Sequence, residues 1–343
     1  MEEREIVILG LDFSTIPLIR ELCSRGYSNI LVIDHSIEPG AFTGTYSIGG
    51  FVIEKLYILL DRESGEILRE LGAKISCTKP RVRVAKPGNL YSKISCWERE
   101  RFEPWWISRD LSEICFIDDG SSRFVKEKIL SGCAEYTFYT PRKIDLERKI
   151  IVLRNGRVVS YKKIFVSYPL RKILEIVRGI NIERDLLEDV SSINWLNIIS
   201  ISLGVRGSRP EWDIVTHATR ASRSYIFLVV SNIDLDSAPE GYYLVNLQMS
   251  YCKHYPPPPD AIARGVAEAR WARLLEDKKS IVLERIYVVS HISPLNDLEE
   301  WKLERLKEIF SERDLYITGL RGESRNISLR EQLRLYRDLL KHI

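Results

Sequence analysis

The first sixty residues constrain the chain most. Glu5 to Gly10 is an apolar run ending in glycine, Ile16 to Arg25 has helical spacing, and Ile30 to Asp34 is a second apolar run closing on a carboxylate. Strand, tight turn, helix, strand and acid is the layout of a dinucleotide-binding βαβ unit, in which the acid meets a ribose hydroxyl. The turn reads Gly10, Leu11, Asp12, Phe13, Ser14, Thr15, so only the first of the three fingerprint glycines is present.

The rest of the chain bounds the class. Its 343 residues allow two domains, or one domain with an insertion. An apolar content of 45% and a charged content of 29% are those of an ordinary packed protein. No apolar run approaches the roughly eighteen residues of a bilayer span, and the acidic start at Glu2 leads straight into a strand, so a cytoplasmic protein without membrane attachment is expected. Net charge of +3 with no concentrated basic run argues against nucleic acid as a partner. Abundant Ile, Glu, Lys and Arg with few Gln and Met suit a protein made for high temperature. The six cysteines (Cys23, Cys77, Cys96, Cys115, Cys133, Cys252) are scattered and read as small buried hydrophobes rather than disulfides or a metal site.

Beyond Asp34 the sequence predicts a strand over Thr45 to Ile53, helix over much of Leu56 to Leu71, and an insertion with an aromatic, charged segment from Trp97 to Arg109. A strand follows at Tyr136 to Thr140, then a hairpin about Asn155-Gly156. Lys163 to Tyr168 is a strand, Leu170 to Val177 a helix, and Asn197 to Val205, Tyr225 to Val230 and Tyr242 to Ser250 are strands of another sheet. The helix Ala261 to Leu275, the strand Ser280 to Ser290, the helix Asp297 to Phe310, the strand Leu315 to Gly319 and the helix Ser328 to Lys341 close the chain.

This order of pieces, with the loop Pro39 to Phe51, the segment Ile144 to Pro169 and the ending Leu315 to Gly322, resembles the flavin-dependent amine oxidases, a group that includes protoporphyrinogen oxidase and UDP-galactopyranose mutase. The resemblance implies an α/β, Rossmann-like FAD-binding domain made of residues 1–75, 130–178 and 280–343. Residues 76–129 and 179–279 would form an inserted α+β substrate-type domain. FAD would be held by Gly10, Asp34, Gly40, Gly319 and Gly322, without a metal, with a small organic substrate between the domains.

Departures from the family pattern bear on the cofactor. Asp12 replaces the glycine that lets backbone approach the diphosphate. A carboxylate there would repel it by about 3–4 kcal/mol, ~100-fold in affinity, at an effective dielectric near 20. Asp12 could instead cap the helix that follows. Thr15 replaces the third glycine, Gly40-Ala41-Phe42 lacks the family arginine, and Leu56 and Ile58 stand where glycine and histidine are expected. Two functions remain open. One is a non-catalytic descendant with weakened or lost flavin binding and a protein-partner or regulatory role. The other is an active FAD-dependent oxidoreductase. The five histidines (His35, His217, His254, His291, His342) have no partner at nucleophile or metal spacing. Trp97 to Arg109 reads mainly as an aromatic-anchored loop, and Tyr255 with the prolines after it as a rigid connection.

Overall fold

The computed structural model describes residues 2–40 and 42–343; the substitution at Ala41 lies outside them. Strand β1 (Glu2–Leu9), helix α1 (Thr15–Ser24) and strand β2 (Ile30–Ile33) form the βαβ unit at the expected place. β1 is parallel to β2 on one side and to Val158–Val166 on the other, with Ile8 opposite both Val32 and Phe165. β2 and the second half of β1, Ile6 to Leu9, are wholly apolar and buried because both faces of the sheet are covered there. Ala134–Thr137 extends the sheet beyond β2, and Leu315–Ile317 joins Val158–Val166 in parallel. On the far side lies the antiparallel hairpin that turns at Asn155-Gly156, where Gly156 has φ +86°. The expected Val158 and Lys163 strands are one continuous strand.

The other large sheet has six strands, ordered Ile281–Pro294, Trp195–Arg206, Tyr242–Tyr251, Ser224–Val229, Ile214–His217 and Val82–Lys86. Helix Ala261–Trp271 covers one of its faces, with Val266 and Ala269 against Ile201 and Leu247. The opposite face, through Ile198, Ile226 and Leu228, belongs to the same apolar core as Ile8, Ile16 and Val32. The two sheets therefore share one interior.

Three local expectations are corrected. The single strand over Thr45 to Ile53 is a hairpin, β3 (Thr45–Ile48) and β4 (Phe51–Glu54), because Gly49 and Gly50 both take positive φ (+58° and +83°), the geometry of a tight two-residue turn. Helix α2 spans only Arg62–Glu70, since Asp61 accepts from the Ser64 N–H at 2.7 Å and starts it there. Finally, four of the six cysteines pair as Cys23–Cys133 and Cys77–Cys115, while Cys96 and Cys252 stay free and buried. Cys77 and Cys115 face each other across two antiparallel strands, a proximity that the 38 residues between them in sequence do not reveal.

The aromatic segment is an anchor. Trp106 is wholly buried and donates to the Tyr225 hydroxyl at 3.1 Å, while Trp105 donates to the Ile292 carbonyl at 2.8 Å. Beside it, Lys93 is buried with its ammonium on the His217 and Ser224 carbonyls at 2.8 and 2.7 Å. Burial lowers its pKa to about 7, against the pull of Glu268. An unfolded lysine titrates near ~10.4, so above pH ~7 the unfolded chain holds the extra proton and stability rises with pH. Urea unfolding should show this rise between pH ~7 and ~9, and Lys93→Met should flatten it. An unchanged slope in the variant would remove Lys93 as its source.

Candidate functional site

The β1–α1 turn begins at Gly10 (φ +88°), packed so tightly that a Cβ there would lie 2.6 Å from Ser167 Oγ. Asp12 then folds back on the helix. Its Oδ1 accepts from the Ser14 N–H (2.9 Å), the Ser14 hydroxyl (2.6 Å) and the Thr15 N–H (3.2 Å). The Asp12 N–H donates to Thr15 Oγ1 at 2.9 Å, and that hydroxyl donates to the Gly10 carbonyl at 3.1 Å. Thr15 thus closes the turn that a third glycine would leave open. The Ser14 and Thr15 N–H groups at the start of α1, part of the usual anion site of this fold, are held by the Asp12 carboxylate, and the Ile16 N–H by the Asp12 carbonyl at 3.0 Å.

Asp12 Oδ2 is buried without a hydrogen-bond partner and would be 2.7 Å from a Cβ at Gly319, whose φ is +74°. Burial raises the Asp12 pKa; the field of Arg321 and the Ser14 and Thr15 donors oppose this without cancelling it. Asp34, at the end of β2, is fully buried, its Oδ1 2.9 Å from His35 Nδ1 and its Oδ2 unpartnered. Burial pushes its pKa up too, but His35 and Arg321 outweigh it and the net shift is downward.

The field of Arg321 reaches both acids. This residue is buried, its guanidinium stacks 4.6 Å over the Phe42 ring, and its Nε has no partner. The Thr318 and Tyr168 hydroxyls nearby are also buried and unpartnered. Phe42, where the family arginine is expected, carries this guanidinium on one side and packs 5.0 Å from Trp105. Gly40 lies in a loop closed on itself: a Cβ there would be 2.7 Å from the Gly44 nitrogen. Gly322 backs onto the Val166 carbonyl, 2.7 Å from where its Cβ would be.

The structure thus gathers Gly10, Asp34, Gly319 and Gly322 at the ends of β1, β2, Val158–Val166 and Leu315–Ile317, with Gly40 in the adjoining loop. All five are buried by protein atoms. A diphosphate along the turn would meet the Asp12 carboxylate, and a flavin along Leu56 and Ile58 would meet side chains already in the core. The residues present do not fit FAD in this arrangement. Arg321 and Tyr168 emerge only in three dimensions; the one hint in the sequence was an arginine set between Gly319 and Gly322.

Space remains between the sheets. A cavity of ≈ 60 Å³ is lined by Phe13 after β1, by Val52, Leu56 and Ile58, by Leu228 of the six-stranded sheet and by Val230 just after that strand. At its edge Glu54 accepts from Thr45 Oγ1 (2.7 Å), the Ser121 N–H (2.9 Å) and Ser121 Oγ (2.7 Å), and burial raises its pKa. Among the described residues no group of three or more His, Cys, Asp or Glu is placed to hold a metal, and no helix is long and apolar enough to cross a membrane.

No protein-family model and no curated protein matches the sequence. Solved structures match over the whole length. Reduced UDP-galactopyranose mutase superposes with a TM-score of 0.79 at 16% identity, covering 99% of this chain and 96% of that one. A protoporphyrinogen oxidase-like protein from Exiguobacterium sp. 255-15 gives 0.71 at 10% identity, over 98% of each chain. A putrescine oxidase variant with redesigned cofactor binding gives 0.65 at 11% identity, over 99% of each. The α/β, Rossmann-type fold that the resemblance implies is the fold of this chain, shared with these proteins over their length.

Proposed function

We propose that this chain is a non-catalytic descendant of that fold, with flavin binding weakened or lost and the scaffold kept for a protein-partner or regulatory role. The observation that supports this reading is Asp12: its carboxylate takes the Ser14 and Thr15 N–H groups at the start of α1, where a diphosphate would lie. Arg321 adds to it, supplying from inside the chain the positive charge that faces Asp12 and Asp34.

The purified protein should be colourless and stay so after incubation with FAD, and FAD should not raise its Tm. Absorbance bands near ~375 and ~450 nm, those of oxidised flavin, would overturn the reading. They would favour the alternative, an FAD-dependent oxidoreductase acting on a small organic substrate held between the domains. The cavity between Phe13 and Leu228 is the observation on that side.

A further inference from the structure

The outermost strand of the six-stranded sheet has a neighbour on one side only. Ile281–Pro294 is 14 residues long and pairs with Trp195–Arg206 alone. In that pairing Val288 stands opposite Ile199, Ile286 opposite Ile201 and Glu284 opposite Leu203. Directly opposed residues share a face, so Val288 and Ile286 continue the apolar layer that Ala261–Trp271 covers. The helix crosses this layer at Gly265, where a Cβ would lie 2.9 Å from Ile201 Cδ1, and leaves the outer strand bare. Val282, Ile286 and Val288 are 47%, 41% and 50% exposed. Natural sheet edges are usually guarded by lysine, proline or a bulge. From Leu283 to Val289 the pairing is unbroken and holds no lysine or proline; its two charges, Glu284 and Arg285, are of opposite sign, and the register shifts lie on either side.

We propose that this edge pairs with the same edge of a second copy of the chain. The strands would run antiparallel about a two-fold axis through Ile286, making one sheet continuous across both molecules. A two-fold normal to the sheet preserves its faces, so opposed residue numbers add to an even total. An axis through Glu284 or Arg285 sets like charges directly opposite, which is unfavourable. An axis through Ile286 sets Ile286 against its own copy and Glu284 against Val288. On the other face it sets Leu283 against Val289 and Arg285 against the Tyr287 ring of the second copy. That last contact is a guanidinium–ring pair of the kind Arg206 already makes with Tyr242, 5.7 Å away on this sheet. An axis through Tyr287 would give Arg285 only Val289 to face. Charge and apolar pattern thus select one register, and pairing there ends the open edge in a closed dimer. The inference does not depend on the flavin reading.

Sedimentation equilibrium of the full chain from ~1 to ~100 µM decides it, since a dimer dissociates on dilution. A species of twice 39.8 kDa is expected. Ile286→Lys, which sets two ammonium groups opposite each other, should weaken association by ~100-fold or more, and so should Val288→Lys made separately. Val84→Lys, at the other edge of the sheet and 61% exposed, should leave association unchanged. Should Ile286→Lys lower the Tm, Val288→Lys alone decides. A monomer at ~100 µM, a dimer indifferent to both substitutions, or open-ended polymers would each overturn the proposal.

Discussion

Arg321→Leu should destabilise the protein by about 3–5 kcal/mol at neutral pH, the usual penalty for stranding buried charge. Two carboxylates feel this guanidinium, Asp12 and Asp34, and both are fully buried. Without it, both acids are harder to ionise in the folded chain. Their folded pKa values rise while the unfolded ones stay near ~3.9. A raised folded value means that the folded state holds protons more tightly, so stability falls as pH climbs through the carboxylate range. The deficit should therefore be largest near neutrality and shrink as pH drops towards ~4. Adding Asp12→Asn and Asp34→Asn to Arg321→Leu should recover most of the loss, because the charges needing compensation are gone. Urea titrations of the wild type, Arg321→Leu and the triple variant across pH measure this directly. A deficit below ~1 kcal/mol, or one independent of pH, would mean that the three charges do not act as a unit.

Loss of the Cys23–Cys133 bond should have an effect of similar size. The two residues are 110 positions apart. In the chain-entropy account, closing a loop of that length removes ~4–5 kcal/mol of freedom from the unfolded state. The bond ties the end of α1 to the start of Ala134–Thr137, on the flank of the parallel sheet. Cys23→Ala with Cys133→Ala should lower the Tm by ~10 °C, at roughly 2 °C per kcal/mol for a chain of this size. Thiol counting on the denatured, unreduced protein should give two reactive groups, Cys96 and Cys252. Six would show that the pairs are not formed.

How much of this could be read from the sequence differs by element. The βαβ unit was legible because each run is local and apolar, and because Gly10 and Asp34 mark its turn and its end. The hairpin at Asn155-Gly156 was equally local. The turn at Gly49-Gly50 was visible as two glycines, yet it was taken as strand interior because the apolar pattern runs through it. The cysteine pairs were illegible for another reason: residue 133 meets α1 on the flank of the parallel sheet, and residue 77 meets 115 in a separate two-stranded sheet, contacts that only the tertiary structure sets. The site divides in the same way. Asp12 as a cap followed from its position before a helix, whereas Arg321 showed only as an arginine between Gly319 and Gly322, with nothing local to say what it faces. Its role depends on the last short strand docking beside Val158–Val166, which brings residue 321 near residues 12 and 34.

The small β3–β4 hairpin has a consequence for motion. Its turn reaches Pro239, 3.4 Å from where a Cβ of Gly50 would be, and Phe51 presses on Gly204 in the middle of the six-stranded sheet. From the same hairpin Thr45 and Glu54 hold Ser121 and Ser122. A clasp that grips both halves leaves no free hinge between them. The chain should therefore melt in a single cooperative step, and the most protected amides of the two sheets should report one common free energy of opening rather than two.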